Sequence, residues 1–422
     1  MPLNDFLTRR IVPIDKETRS LDTLNVIAKV TFNGELVLRS DQGKRGYKGP
    51  LFEALPGDLI ISKIRVGQGS FCIISNKYDH VAVSPEYPVY IPDPAKVDRD
   101  YLALALRTPE FMAELTEKAS GNTTKRRIRP EFFESRRIPL PPLDEQRAIV
   151  FSYRAAMKRA ATLETEAEDI EARAAEAFDT ALGIEPPPPL PDRKMFVAYF
   201  KDFERWSHEG ILRSVLHIEA KEPKFAPVKL DSVGKVTYGL QKSPANRPTS
   251  HPRPYLRVAN VQRWRLDLEE IKMINVPDEE MSKYRLEEGD VLLCEGNSPD
   301  LVGRGAIWHN EIPDCVHQNH ILRVRLDITK AFPEFVLSVI NSSYGQAYFR
   351  SKAKRTTNLA SINSEEVEGF PLPLPSVNVQ KTLIDELFDK KRESAQKRKL
   401  AAEVRAQAWI EFETTVYTAE ID

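Results

Sequence analysis

The longest sustained alternation of apolar and polar positions lies at 149–181. Ile149, Tyr153, Ala156, Ala160, Leu163, Ala167, Ile170, Ala174, Ala177 and Ala181 recur at spacings of four and three, with no Gly or Pro between them. This spacing predicts a long helix with one apolar seam. Asp144 is placed to cap its start and Glu145 to meet the helix dipole, while Gly183 and the prolines of 186–189 stop it. Most seam residues are Ala, so a partner helix has to approach closely.

A second stripe supplies that partner. Phe370-Pro371-Leu372-Pro373-Leu374-Pro375 repeats the lead Ile138-Pro139-Leu140-Pro141-Pro142-Leu143, and Asn378-Val379-Gln380-Lys381 repeats Asp144-Glu145-Gln146-Arg147. Leu383, Leu387, Ala401, Val404 and Ala408 continue the stripe. Segment 164–171 is acidic and segment 390–399 basic, so charge favours these two helices pairing with each other. The bland reading, two unrelated surface helices, leaves the matching leads unexplained.

The duplication reaches beyond the helices. Gly57-Asp58-Leu59-Ile60-Ile61 matches Gly289-Asp290-Val291-Leu292-Leu293, and each glycine precedes its proline lead (Pro139, Pro371) by 82 positions. Between these anchors the order agrees: a strand, a Gly turn (Gly67 and Gly69; Gly303 and Gly305), a strand and a strand pair. A helix at 100–118 or 333–351 follows, then a polar basic loop at 119–129 or 352–361. We therefore expect two α/β globules, each followed by a long helix, with the helices paired antiparallel. The implied boundaries are 1–137 for the first globule, 138–185 for its helix, 186–192 for a stiff Pro-rich linker, 193–369 for the second globule and 370–422 for the second helix and tail. The first globule reads as short at its N-terminus, with no evident counterpart to 230–241.

Composition narrows the class. At 422 residues the chain exceeds one core, and a net charge of −1 conceals local asymmetry. Cys72, Cys294 and Cys315 are odd in number and far apart, which argues against a disulfide framework. Without an apolar leader or spanning run, a cytoplasmic protein with no membrane association is expected. No Walker or dinucleotide loop occurs, and the tetrapeptide of amino-methyltransferases is absent. Pro191-Asp192 with Glu219-Ala220-Lys221 matches a nuclease pattern too loosely to carry weight. Cys315, His317 and His320 have ligand-type side chains but no second cluster, so a strand is the better reading than a metal site.

Binding chemistry is better represented. Residues 118–137 hold seven bases against two acids, including Lys125, Arg126 and Arg127. Lys352, Lys354 and Arg355 take the equivalent place in the second half, and each half carries further bases among aromatics and glycines. A single basic cluster is usually solvated surface. Recurrence at matched positions points instead to nucleic acid, with Lys and loop Arg on phosphates and Arg, Asn and Gln on base edges.

Taken together, the chain resembles the specificity subunit of type I DNA restriction–modification systems. The resemblance rests on Pro139-Leu140-Pro141-Pro142-Leu143-Asp144-Glu145-Gln146-Arg147 and Gly57-Asp58-Leu59-Ile60-Ile61-Ser62-Lys63-Ile64. In the second half it rests on Pro254-Tyr255-Leu256-Arg257-Val258-Ala259-Asn260-Val261-Gln262, Gly303-Arg304-Gly305-Ala306-Ile307-Trp308 and His317-Gln318-Asn319-His320. It implies two target-recognition domains, each reading half of a split site on double-stranded DNA, and an antiparallel helical spacer. It also implies two methyltransferase subunits, which bind S-adenosylmethionine and methylate adenine, and motor-nuclease subunits for cleavage. The chain itself would be non-catalytic and hold no cofactor. The expected DNA contacts are Lys63, Arg65, Gln68, Lys125, Arg126 and Arg127 in the first half. In the second they are Gln241, Lys242, Arg257, Asn260, Gln262, Arg304, Lys352 and Arg355. The rival readings are a coiled-coil scaffold without DNA specificity and a fragment of a single-chain restriction enzyme. The first leaves the matched basic loops unexplained, and the second lacks a catalytic signature.

Overall fold

A computed structural model describes all residues except 65, 118–126, 186–189, 193–194, 200–207, 217–220, 244–246, 249, 299–300, 356–359 and 419–422. Compact packing divides the chain into two units, one formed by Met1–Glu164 with Arg398–Asp422 and the other by Thr165–Lys397. Both boundaries fall inside the long helices.

The first unit is built on a four-stranded antiparallel sheet in the order Leu7–Arg10, Val89–Pro92, Leu59–Ile61, Phe71–Ile73. A second sheet contains the parallel pair Asn25↔Val81 and Val26↔Ala82. The region expected as one helix at 100–118 is two, Arg99–Ala105 and Pro109–Glu117. Pro109 explains the break: it lacks an N–H and disfavours helical geometry just before it. Tyr90, Tyr101, Phe111 and Phe133 pack the core between sheet and helices.

The second unit repeats this frame. Its sheet runs Gly234–Tyr238, Ile321–Leu326, Val291–Cys294, Gly305–Ile307. The parallel pair recurs as Tyr255↔Val316 and Leu256↔His317. Helices Pro333–Asn341 and Ser343–Lys352 again replace one continuous helix, with Ser342 capping the second of them. Phe335, Phe349 and Phe370 fill the core. Gly57 and Gly289 hold φ of 90° and 83°, left-handed values that exclude most side chains, and so begin the same strand in both units.

The first globule does have a counterpart to 230–238. Leu7–Arg10 pairs with Val89–Pro92 as Gly234–Tyr238 pairs with Ile321–Leu326. The short 3₁₀ turn Leu3–Asp5 answers to Leu230–Ser232. Its Leu3 N–H bonds Arg136 O at 2.8 Å, as the Leu230 N–H bonds Phe370 O at 3.0 Å. Sequence comparison passed over the match because those strands share a role in the sheet and almost no residues.

The long helices run Leu143–Ala181 and Val377–Thr418. In the first unit Tyr153 meets Trp409 and Phe412 edge-on. In the second unit Phe178 shares a core with Leu383 and Leu387. The pairing is therefore antiparallel. Ala160, Ala167 and Ala401 are fully buried, as a close approach requires. Two details differ from expectation. Asp144 lies inside the first turn rather than capping it. Near the end of the first helix the buried stripe passes to Phe178, leaving Ala177 exposed. A real helix has 3.6 residues per turn, so a 3.5-residue seam drifts around it. Charge complementarity is partly realised. Glu166 pairs with Lys397 at 2.6 Å and Glu164 pairs with Arg405, whereas Lys390 and Arg392 pair within their own helix.

The helix starts are locked by one device used twice. Gln146 is fully buried. Its Oε1 accepts from Asp98 N–H at 2.8 Å, and its Nε2 donates to Lys96 O at 2.9 Å and Pro141 O at 2.7 Å. Gln380 makes the same three bonds, to Phe332 N–H, Lys330 O and Pro375 O, at 3.1, 2.9 and 3.0 Å. The repeated Gln in the two leads is this clamp.

Candidate nucleic-acid interface

At one end of each sheet the strands run out into a three-rung platform. In the first unit Lys63 N–H bonds Glu86 O, and Ile128 N–H bonds Lys63 O, both at 2.9 Å. In the second unit Glu295 N–H bonds His320 O at 3.0 Å, and Ile362 N–H bonds Glu295 O at 2.9 Å. The rungs Lys63, Glu86 and Ile128 thus correspond to Glu295, His320 and Ile362.

The platform carries polar pairs. Arg127 donates to Glu86 at 2.8 Å, with both side chains solvent-accessible. The Nδ1 of His320 stands 2.5 Å from the Glu295 carboxylate, and the ring is 54% exposed. Lys63 is half-buried beside the first pair. In the second unit the Gly239–Lys242 turn is fixed against this end of the sheet. Leu240 N–H bonds His317 O at 2.8 Å, and Asn319 N–H bonds Leu240 O at 3.0 Å. Gln241 and Lys242 are exposed there.

The remaining expected contacts divide. Gln68 is exposed on the short turn Val66–Gln68. Lys352 stands over the Tyr348 ring at 6.0 Å. The Arg257 guanidinium is held by Glu270, through its carboxylate at 3.1 Å and its carbonyl at 3.0 Å. Gln262 donates to Ala259 O at 2.7 Å. Arg65, Lys125 and Arg126 lie outside the described residues, as does the side chain of Arg355, whose backbone pairs with Ala360.

Two expectations are corrected. Asn260 is buried and pins its loop, donating to Asp267 O at 2.7 Å and Glu270 O at 3.1 Å while accepting from Arg257 N–H at 2.9 Å. Arg304 is buried and donates to Val261 O at 2.8 Å and Val258 O at 3.2 Å. A buried polar group needs such partners, so both hold the fold and neither is presented to a ligand. Short motifs could not show this, because Arg and Asn look alike whether they serve a loop carbonyl or a base.

Sequence reasoning passed over Glu86 and Glu295, since a search for bases discards acids. It also passed over an open cavity of about 560 Å³ in the second unit, lined by Lys235, Tyr238, Lys283, Tyr284, Arg323 and Arg325 among others. The signal for it was the alternation of Arg323 and Arg325 along one strand, with Lys235 opposite Arg325 on its neighbour.

The thiols and the buried imidazole are structural. Burial pushes Cys72 and Cys315 up to about 12, so both are protonated at neutral pH. Burial, with Arg323 nearby, pulls His317 down to about 4 and keeps it neutral. Among the described residues, no group of three or more His, Cys, Asp or Glu could hold a metal ion. None of the described helices is long and apolar enough to cross a membrane.

Comparison with known proteins agrees with this geometry. Residues 33–168 match the family model of the type I restriction modification DNA specificity domain. A putative type I restriction enzyme MjaX specificity subunit from Methanocaldococcus jannaschii is 27% identical over 137 residues, 32% of each chain. The type I restriction enzyme EcoKI specificity subunit of Escherichia coli is 23% identical over 266 residues, 61% of this chain and 51% of its own. The matched regions thus span about a third and a half of those relatives. A chain solved in work on complex assembly and conformational transition of the type I R-M system has the same fold. Its TM-score is 0.64 at 16% identity, covering 99% of this chain and 96% of its own. Family model, relatives and fold all point the same way: the chain is similar to the specificity subunits of type I restriction–modification systems.

Proposed function

We propose that the chain is the non-catalytic DNA-reading subunit of its system, each unit recognising one half of a bipartite target. The observation that carries this reading is the duplicated frame: two equivalent sheets end in equivalent platforms, and different exposed side chains stand on them. Duplicated frames with divergent surfaces suit a protein that reads two unlike half-sites. Globules 1–137 and 193–369 serve as the target-recognition domains. The paired helices dock two methyltransferase subunits, which bind S-adenosylmethionine and modify adenine, and motor-nuclease subunits join for cleavage. Lys63, Gln68, Arg127, Gln241, Lys242 and Lys352, together with Arg65, Lys125, Arg126 and Arg355, supply phosphate and base contacts.

The test uses the full chain purified with its methyltransferase partner. Methylation of a randomised DNA library is sequenced with and without the chain. The expected result is a two-part motif, methylated only when the chain is present. A continuous motif, or one that persists in its absence, refutes the proposal. Binding should also weaken steeply with salt, at a log–log slope of about −0.9 per phosphate contact.

A further inference from the structure

We infer that the acid–base pairs on the platforms, Glu86–Arg127 and Glu295–His320, are sequence-determining elements of their respective half-sites. This rests on the proposed DNA-reading function and extends it from the expected contact Arg127 to its partner Glu86 and to the Glu295–His320 pair.

The backbone ladders place these side chains at equivalent positions. Lys63 and Glu295 occupy the middle rung, with Glu86 and His320 on one side of it and Ile128 and Ile362 on the other. Arg127 and Ser361 each precede the third-rung isoleucine, Ile128 or Ile362. In both units the outer side chain, Glu86 or His320, is held by an oppositely disposed partner on the platform, and the polarity is reversed. An outer acid holds an arginine in the first unit, and an outer histidine is anchored by the middle-rung acid in the second.

Stability does not account for the pairs, because solvent-exposed ion pairs add little. Nor does general affinity for a polyanion, since a carboxylate facing phosphates weakens attraction. An acid on such a surface is useful where it orients a donor. Arg127 leans on Glu86 through one amino group, at 2.8 Å. The guanidinium carries five N–H donors, so a planar pair remains for the O6 and N7 acceptors of guanine. The His320 ring, held through Nδ1–H on the Glu295 carboxylate, has the Nε2 lone pair left to accept from a donor on a base edge. Orienting these groups before DNA arrives reduces the ordering that binding demands. The reversed polarity then gives the two half-sites different sequences from one backbone frame.

The experiment uses the full chain assembled with its methyltransferase partner and the same randomised DNA. Four variants are compared with wild type: Arg127→Lys and Glu86→Gln, which keep size, and His320→Gln and Glu295→Gln. Lys retains the charge of Arg127 but not its planar fork. Arg127→Lys and Glu86→Gln should relax the motif at one or two positions of one half, lowering base preference on the order of tenfold to a hundredfold. His320→Gln and Glu295→Gln should relax only the other half. Unchanged motifs, or a uniform loss of methylation with the preferences among residual sites intact, overturn the inference and leave the pairs as loop staples. A wild-type complex without a two-part motif refutes the proposed function instead. A two-part motif that survives all four variants refutes only this assignment.

Discussion

Gln146 is where a single substitution should reveal how each long helix is tied to its globule. Replacing it with Ala leaves the Asp98 N–H and the carbonyls of Lys96 and Pro141 without the partners they have at 2.7–2.9 Å. An orphaned buried group costs about 1–3 kcal/mol. A water entering the vacated space recovers part of that, since the space is polar on three sides. The expected local cost is therefore about 2–4 kcal/mol for the three groups together. The chain has two compact units, so a single unfolding transition is the wrong observable. Native-state hydrogen exchange reads local opening directly. At about 1.4 kcal/mol per tenfold, peptides covering 96–102 should lose protection by roughly 30- to 700-fold. The twin Gln380→Ala should do the same to 330–336, because its three bonds are of matching length. Gln146→Glu adds a signed check. A carboxylate can still accept from Asp98 N–H, but it faces two carbonyls and must carry a proton to satisfy them. Its folded pKa is therefore raised. The stability it retains is present below the ordinary Glu value of about 4.3 and is lost as pH rises through the folded value. A protection change under threefold at 96–102, or an equal change at 330–336 from the Gln146 variant, would refute the clamp.

Three further outcomes follow from other buried features. His317, pulled down to about 4 from the ordinary imidazole value of about 6.5, makes the second unit lose stability as pH falls from 6.5 towards 4, by up to about 3 kcal/mol, because the unfolded chain binds the proton first. Exchange measured at pH 7.5 and 5 should show this for the native chain and much less for His317→Asn; equal pH dependence would refute it. Ala160→Leu puts a large side chain where the helices leave no exposed surface, and should cost about 1–3 kcal/mol, seen as a lower melting temperature; an unchanged one would mean the seam is loose. Arg10→Ala strands the buried Asp58 carboxylate and should destabilise the 55–61 segment by roughly 3–5 kcal/mol, more than Asp58→Asn, with exchange of that segment as the measurement.

Much of the architecture was legible because it is written in repeated backbone requirements. The 3.5-residue seam, the proline leads and the Gly-Asp strand starts each encode a geometry few residues satisfy. The helix pair and the repeated order of features between the glycine and proline anchors could therefore be read without coordinates. Side-chain destinations were not legible in the same way. Asn260 and Arg304 stood in motifs that look like readers, yet serve loop carbonyls. Glu86 and Glu295 look like bystanders, yet hold the exposed Arg127 and His320. Whether a polar side chain faces inward depends on the loop around it, and loop geometry leaves no periodic trace in sequence.

The strand that sequence comparison missed shows the same limit at the level of a single charge. Asp58 and Asp290 follow equivalent glycines, and both are almost fully buried. Each carboxylate accepts an N–H three residues back, from Leu55 or Glu287. A buried carboxylate also needs a cation, and each unit finds one in a different place. Asp58 takes Arg10, on the edge strand opposite Val89. Asp290 takes Arg325, on the neighbouring strand opposite Lys235. Aligned by strand register, Arg10 falls on Thr237 and Arg325 on Ile91, so neither arginine has an aligned counterpart. The frame thus preserves the neutralised carboxylate rather than a particular arginine. That makes 1–10 look unlike 227–238 in residues while the two do the same structural task. A frame that tolerates such exchange at a buried charge is less restrictive at the exposed platforms, where the two units differ most in chemistry.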